Sequence, residues 1–149
     1  MSVQVSIKET IYTLKKADKD ELPQIVAIYN QGIGTANADM APVSVESRLA
    51  WFDAHDEKRP LVVLKVQDAV VAWASLSNLY ERPAYRHSSE ISIYVDAHYQ
   101  GCGLGAYLLT HLMQQAKTLD ISSIVALIYG HNEASLGLFK KYGFVQWGV

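Results

Sequence analysis

Residues 99–106 constrain the fold of this chain more than any other stretch: Tyr99, Gln100, Gly101, Cys102, Gly103, Leu104, Gly105 and Ala106 lie between a strand-like run and a helix-like run. Ahead of them, Glu90 to Val95 alternates polar and apolar residues with a period of two, as a half-buried strand does. Behind them, Leu104, Leu108, Leu109, Leu112, Met113 and Ala116 recur at helical spacing. Glycines at i, i+2 and i+4 let the backbone turn sharply and approach a ligand without Cβ clashes. The free N–H groups of a helix N-terminus follow, and these favour an anion, most often phosphate. The stretch therefore predicts a phosphate-bearing ligand.

The remaining residues limit the classes open to such a protein. At 149 residues the chain is expected to form one domain, 1–149, with a sizeable single core. A formal net charge of −2 gives no electrostatic reason to expect nucleic acid or an anionic membrane as partner. No apolar run reaches the ~18 residues of a membrane span, and no secretory signal pattern opens the chain, so the expected location is the cytoplasm. The single cysteine, Cys102, excludes an internal disulfide and a multi-cysteine zinc site, and no metal is expected.

Taken in order, residues 1–10 read either as a ragged first strand or as a mobile terminus, and Ile11, Tyr12 and Leu14 as a strand. Asp18 and Glu21 form a capping pair for a helix over 19–31 that stops at Gly32. Ser44 caps a second helix over 45–54. The runs 61–66 and 70–76, split by Gln67 and Asp68, predict a hairpin. A polar, aromatic loop over 80–86 precedes the 90–95 strand. After the long helix to about Leu119, a buried strand over 123–128, a helix from Asn132 to Tyr142 and a strand start over 144–147 complete an α/β pattern with mixed strands.

Gly101, Gly103 and Ala106 fit a loose dinucleotide fingerprint, with Asp120 19 residues after Gly101. That fold needs the acid after the second strand, whereas Asp120 precedes it. A Walker-type loop fails because no Gly-Lys-Ser/Thr follows.

Another reading fits the C-terminal half. Tyr94 and Val95, then Gln100, Gly101, Gly103 and Gly105, then Asn132 with Ser135, then Lys141, Tyr142, Gly143 and Phe144 resemble the GNAT superfamily of N-acetyltransferases. Tyr29 and Asn30 with Gly32 and Ile33, Arg48 with Trp51 and Phe52, Arg82 to Tyr85, and Glu90, Ser92, Tyr94 and Val95 resemble its phosphinothricin and methionine sulfone acetyltransferase branch. The resemblance implies a mixed, mostly antiparallel sheet with a splayed parallel strand pair and helices on both faces. It implies acetyl-CoA as cosubstrate, its pyrophosphate on the amides from Gln100 to Ala106, including those of Cys102 and Leu104. The pantetheine arm would run along Ile93, Tyr94 and Val95, between that strand and the one over 124–128. Asn132, Ser135 and Lys141 would hold the far side. Tyr94 also reads as core, and Ser135 as an ordinary first-turn helix residue. A small amine or amino-acid substrate and a homodimer are further implications.

An amine attacks a thioester only when neutral, so such an enzyme needs a proton acceptor near the amine and a donor near the thioester oxygen. The resemblance gives the first role to Glu90, directly or through water, and the second to the Val95 N–H. Arg82 reads either as a bidentate clamp for a substrate carboxylate or as an exposed solubilising residue. A covalent acyl-cysteine at Cys102 lacks a histidine to activate the thiol.

Three positions depart from the family pattern. Phe139 stands where many members carry a tyrosine acid, leaving Tyr129 or water to protonate the thiol. Cys102 replaces a frequent cation. The chain ends at Val149, before the usual last strand, so either a shortened domain or a missing tail is expected. The alternatives are an acetyltransferase for another amine, such as a peptide N-terminus or antibiotic, and a non-catalytic acyl-CoA-binding module.

Overall fold

A computed structural model of the chain describes residues 2–33, 41–79, 83–127 and 133–145. Among these residues, six strands form one sheet in chain order: β1 (Ser2–Ile7), β2 (Thr10–Lys16), β3 (Leu61–Val66), β4 (Ala69–Asn78), β5 (Ser88–Val95) and β6 (Ser123–Val125). The first five pair antiparallel, and β5 pairs parallel with β6. The first residues are thus a strand, joined to β2 through Lys8 and Glu9, both at positive φ (47° and 71°) as a tight hairpin requires.

Helices cover both faces. On one side α1 (Leu22–Asn30) packs Leu22, Ile25 and Val26, and the short α2 (Leu49–Asp53) packs Leu49, Trp51 and Phe52, on a cluster that includes Val63 and Trp73. The Trp73 indole donates a hydrogen bond to the Ile25 carbonyl at 3.1 Å, which fixes α1 over β4. On the other side α3 (Leu104–Thr118) buries Leu108, Leu109 and Leu112 completely against Leu64, Ala74, Leu76 and Ile91. Each such leucine contributes about 1.5–3 kcal/mol. The last helix, α4 (Glu133–Lys141), joins this layer through Phe139.

Several element ends differ from the sequence expectation. The Asp18–Glu21 pair does cap, the Glu21 carboxylate accepting the Asp18 N–H at 2.8 Å, but the first turn is a 3-10 turn and α1 proper starts at Leu22. Glu21 is buried because it also receives the ammonium groups of Lys15 and Lys65, at 2.7 and 2.8 Å. Ser44 Oγ accepts the Ser47 N–H at 3.1 Å, yet the helix it opens begins as a 3-10 turn and ends at Asp53. The expected strand over 123–128 extends only through Val125 among the described residues, and Phe144 and Val145 are not in a strand.

Candidate active site

One cavity of about 760 Å³ is lined by side chains from both core layers. Tyr29, Arg48, Trp51 and Trp73 come from the α1/α2 side, and Leu104, Gly105, Leu138 and Phe139 from the α3/α4 side. A cavity crosses a sheet only where two strands part. Here β5 and β6 pair from Ser88–Ser123 to Glu90–Val125, after which β5 runs on to Val95 without β6.

The register shows what that parting leaves open. Along an antiparallel strand, N–H and C=O groups of alternate residues point to opposite neighbours. The Asp96 N–H donates to the Val71 carbonyl at 2.9 Å, so Asp96, Tyr94, Ser92 and Glu90 face β4. Ile93 and Val95, past the last pair of the β5–β6 ladder, therefore point their backbone groups into the gap. The Gln100 side-chain amide takes the Val95 carbonyl at 2.9 Å, which leaves the Val95 N–H directed at the cavity.

The glycine loop meets this edge at its end. Gly101 and Gly103 adopt φ of +77° and +83°, the left-handed region that L-residues avoid. A Cβ on Gly103 would stand 3.4 Å from both Ile7 and Lys8, and one on Gly105 3.4 Å from Leu138. Gly103 caps α3, so the amides of Leu104, Gly105 and Ala106 have no intrahelical carbonyl. The Lys8 ammonium donates to the Gly101 carbonyl at 3.2 Å and brings a cation to a loop that has Cys102 where a cation was expected. The Gln31 side chain bridges the end of α1 to this segment. It donates to the Asp96 carboxylate at 3.0 Å and accepts the Ala97 N–H at 2.9 Å. Open amides at a helix N-terminus beside an open strand edge fit a phosphate-bearing ligand with an extended, amide-containing arm.

On the α1/α2 face, β4 and β5 present cross-strand pairs in a stripe: Trp73 with Tyr94, Ser75 with Ser92, and Ser77 with Glu90. Trp73 and Tyr94 stack at 4.9 Å, and Tyr29 tilts against Tyr94 at 5.2 Å. Arg48 lies over the Tyr29 ring at 4.8 Å. Glu90 is half-buried, and that burial raises its carboxyl pKa above the usual range, the direction that makes a carboxylate a better proton acceptor near neutral pH.

Of the residues the sequence singled out, Glu90, Ile93, Tyr94, Val95, Gln100, Gly101, Gly103, Leu104, Gly105 and Ser135 all line this cavity. Tyr94 is both core and lining. Cys102, Ala106 and Lys141 lie outside the lining; the Cys102 thiol points to the Gln100 carbonyl at 3.9 Å, and its side chain packs on the α3-side core. Arg82, Tyr129 and Asn132 fall outside the described residues. Arg48 was not expected in the site; its spacing ahead of Trp51 and Phe52 was the only signal. Ser77 gave none. Among the described residues no cluster of metal-ligating side chains forms, and no helix is long and apolar enough to cross a membrane.

Comparison with known proteins places these observations in a family. The profile described as Acetyltransferase (GNAT) family matches residues 23–144. The chain is 44% identical over 140 residues to YwnH of Bacillus subtilis, which carries a provisional phosphinothricin acetyltransferase name; the match spans 92% of this chain and 86% of that one. It is 34% identical to the L-methionine sulfoximine/L-methionine sulfone acetyltransferase of Pseudomonas paraeruginosa, over 89% of this chain and 79% of the relative. The crystal structure of a Sinorhizobium meliloti phosphinothricin acetyltransferase in complex with acetyl-CoA superposes with a TM-score of 0.83 at 30% identity, covering 92% of this chain and 76% of that one.

Proposed function

Because the chain belongs to the Acetyltransferase (GNAT) family, we propose that its cavity brings acetyl-CoA to the amino group of a small amino-acid-like substrate of the phosphinothricin, methionine sulfone or sulfoximine type. The observation that carries this reading is the cavity that crosses the sheet where β5 and β6 part, with Glu90 on its wall and open glycine-loop amides at its end. Acetyl-CoA supplies an activated acyl thioester.

The chain's own groups do the rest. The amides of Gly103 to Ala106, the neighbouring Gln100 to Cys102 and the Lys8 ammonium hold the phosphate end. Ile93 and Val95 offer the backbone edge to the arm, with Tyr94 between them on the other face. Asn132, Ser135 and Lys141 are assigned to the far side of the cosubstrate. The Val95 N–H donates to a carbonyl oxygen at the gap, and Glu90 accepts the proton the amine gives up. Arg48, with Arg82, offers a fork for a substrate carboxylate. Much of the rate gain comes from holding the two reactants together. A homodimer in the cytoplasm completes the proposal.

Phe139 favours a second reading, an acyl-CoA-binding module without turnover. It is buried, sits edge-on to Phe144 at 4.9 Å, and has no proton to give a departing thiolate. Thiol release from acetyl-CoA, followed over a panel of amino acids, decides between them. The expected outcome is turnover on methionine sulfone that falls in Glu90→Gln while acetyl-CoA binding persists. Tight acetyl-CoA binding with no turnover on any amine would overturn the leading reading.

A further inference from the structure

His55, in the turn after α2, makes two hydrogen-bond contacts that together fix a third residue. Its Nδ1 lies 2.8 Å from the Trp51 carbonyl, and its Nε2 lies 2.8 Å from Ser77 Oγ. A carbonyl has no proton to give, so Nδ1 carries the hydrogen. Burial pushes the imidazole pKa below its ordinary value, against the opposing influence of the Trp51 carbonyl and Asp56, so the ring is neutral and Nε2 is a bare acceptor. The Ser77 hydroxyl therefore donates its proton to His55. Only its lone pairs remain for any other partner.

Ser77 and Glu90 sit directly opposite each other in the β4–β5 register, with side chains on the same face, and both line the cavity. Directly opposed residues hold their Cβ atoms about 4.5–5.5 Å apart. The wall thus presents two acceptors side by side, a carboxylate and a serine oxygen whose hydrogen is turned away.

We propose that Ser77, held as an acceptor by His55, is the second hydrogen-bond partner of the substrate's amino group and makes the site selective for primary amines. This rests on the amine acetylation proposed above and adds the class of amine. A neutral primary amine has two N–H bonds and one lone pair. With one N–H on Glu90 and the other on Ser77, the lone pair is left to face the acyl donor. A secondary amine has a single N–H, so one acceptor goes unpaired, a penalty the site sets against N-alkylated substrates. Ser77 touches substrate in this scheme; His55 is a positioning residue that acts through it.

The test compares methionine sulfone with its N-methyl derivative, in wild type, Ser77→Ala, His55→Phe and His55→Gln. Ser77→Ala is expected to raise the amine KM about tenfold, with the acetyl-CoA KM unchanged, and to narrow the primary-to-secondary ratio of kcat/KM by a similar factor. His55→Phe should behave alike. His55→Gln, whose amide oxygen can accept the Ser77 proton, should restore much of the selectivity. Nitrogen NMR of wild type should show His55 protonated at Nδ1 and bare at Nε2. Wild-type turnover with unchanged amine KM and selectivity in Ser77→Ala overturns this proposal and leaves the acetyltransferase reading standing. Equal losses in His55→Gln and His55→Phe, or a proton on Nε2, overturn the role of His55. No wild-type turnover on any amine overturns both.

Discussion

Glu90 shows at the scale of one residue how the proposed role as proton acceptor opposes stability. Its carboxyl pKa is raised by burial, and no cation among the described residues offsets that effect. An acid whose folded pKa lies above its unfolded value of 4.5 binds protons more tightly in the fold. Unfolding stability therefore falls as pH rises from about that unfolded value through the folded one, and the penalty is fully present above the folded value. Glu90→Gln removes the penalty along with the base. The variant is expected to lose about 10²–10⁴-fold in kcat, with a melting temperature at or above wild type at pH 7 and no gain at pH 4. Wild-type kcat should fall as pH drops through the raised Glu90 value, and a paired set of melting curves and pH–rate profiles checks both. Glu21 is the contrary case. Burial pushes its pKa up too, but the Asp18 N–H and the ammonium groups of Lys15 and Lys65 outweigh that and lower it. Its contribution to stability is present above its unfolded pKa and fades only as acid protonates it.

At the scale of elements, the glycine loop and the β5 edge were legible because their signals are local. Period-two alternation over 90–95 and three spaced glycines depend on neighbours in sequence. The true strand starts earlier, at Ser88, because Ser89 is fully buried and its hydroxyl donates to the Ser77 carbonyl at 2.7 Å, a contact between residues twelve apart. Arg48, His55 and Ser77 were not legible as site residues for the same reason. Ser77 meets Glu90 only through the β4–β5 register, His55 reaches Ser77 from the turn after α2, and Arg48 joins the same cavity wall from the segment ahead of α2, marked in sequence only by its spacing from Trp51 and Phe52. The short α2 likewise reflects tertiary placement over helical propensity. Gly103 joins the loop to α3 at a conformation only glycine adopts cheaply, with β1–β2 pressed against it. Gly103→Ala is expected to cost about 1–2 kcal/mol of stability and to raise the acetyl-CoA KM more than the amine KM. Denaturant melts and two-substrate kinetics separate those effects.

At the scale of the molecule, two helical layers on one sheet would ordinarily keep their cores apart. The parting of β5 from β6 after three paired positions joins them and leaves one cavity reached by both layers. Gln31 ties the end of α1 to the turn leading into the glycine loop, so the two layers are also linked where the ligands would lie. The same parting has a colloidal consequence. The Ile93 backbone groups and the Val95 N–H lie along a strand edge that no strand among the described residues pairs, and an unpaired edge is a template for a strand of another molecule. An arm of acetyl-CoA seated there would mask that template, so the abundance of the donor is expected to affect how well the protein stays dispersed. Concentrated protein stripped of acetyl-CoA is expected to self-associate well below its melting temperature, with light scattering that rises with time and is suppressed by saturating acetyl-CoA. Equal scattering with and without the donor would dismiss the edge as the point of contact.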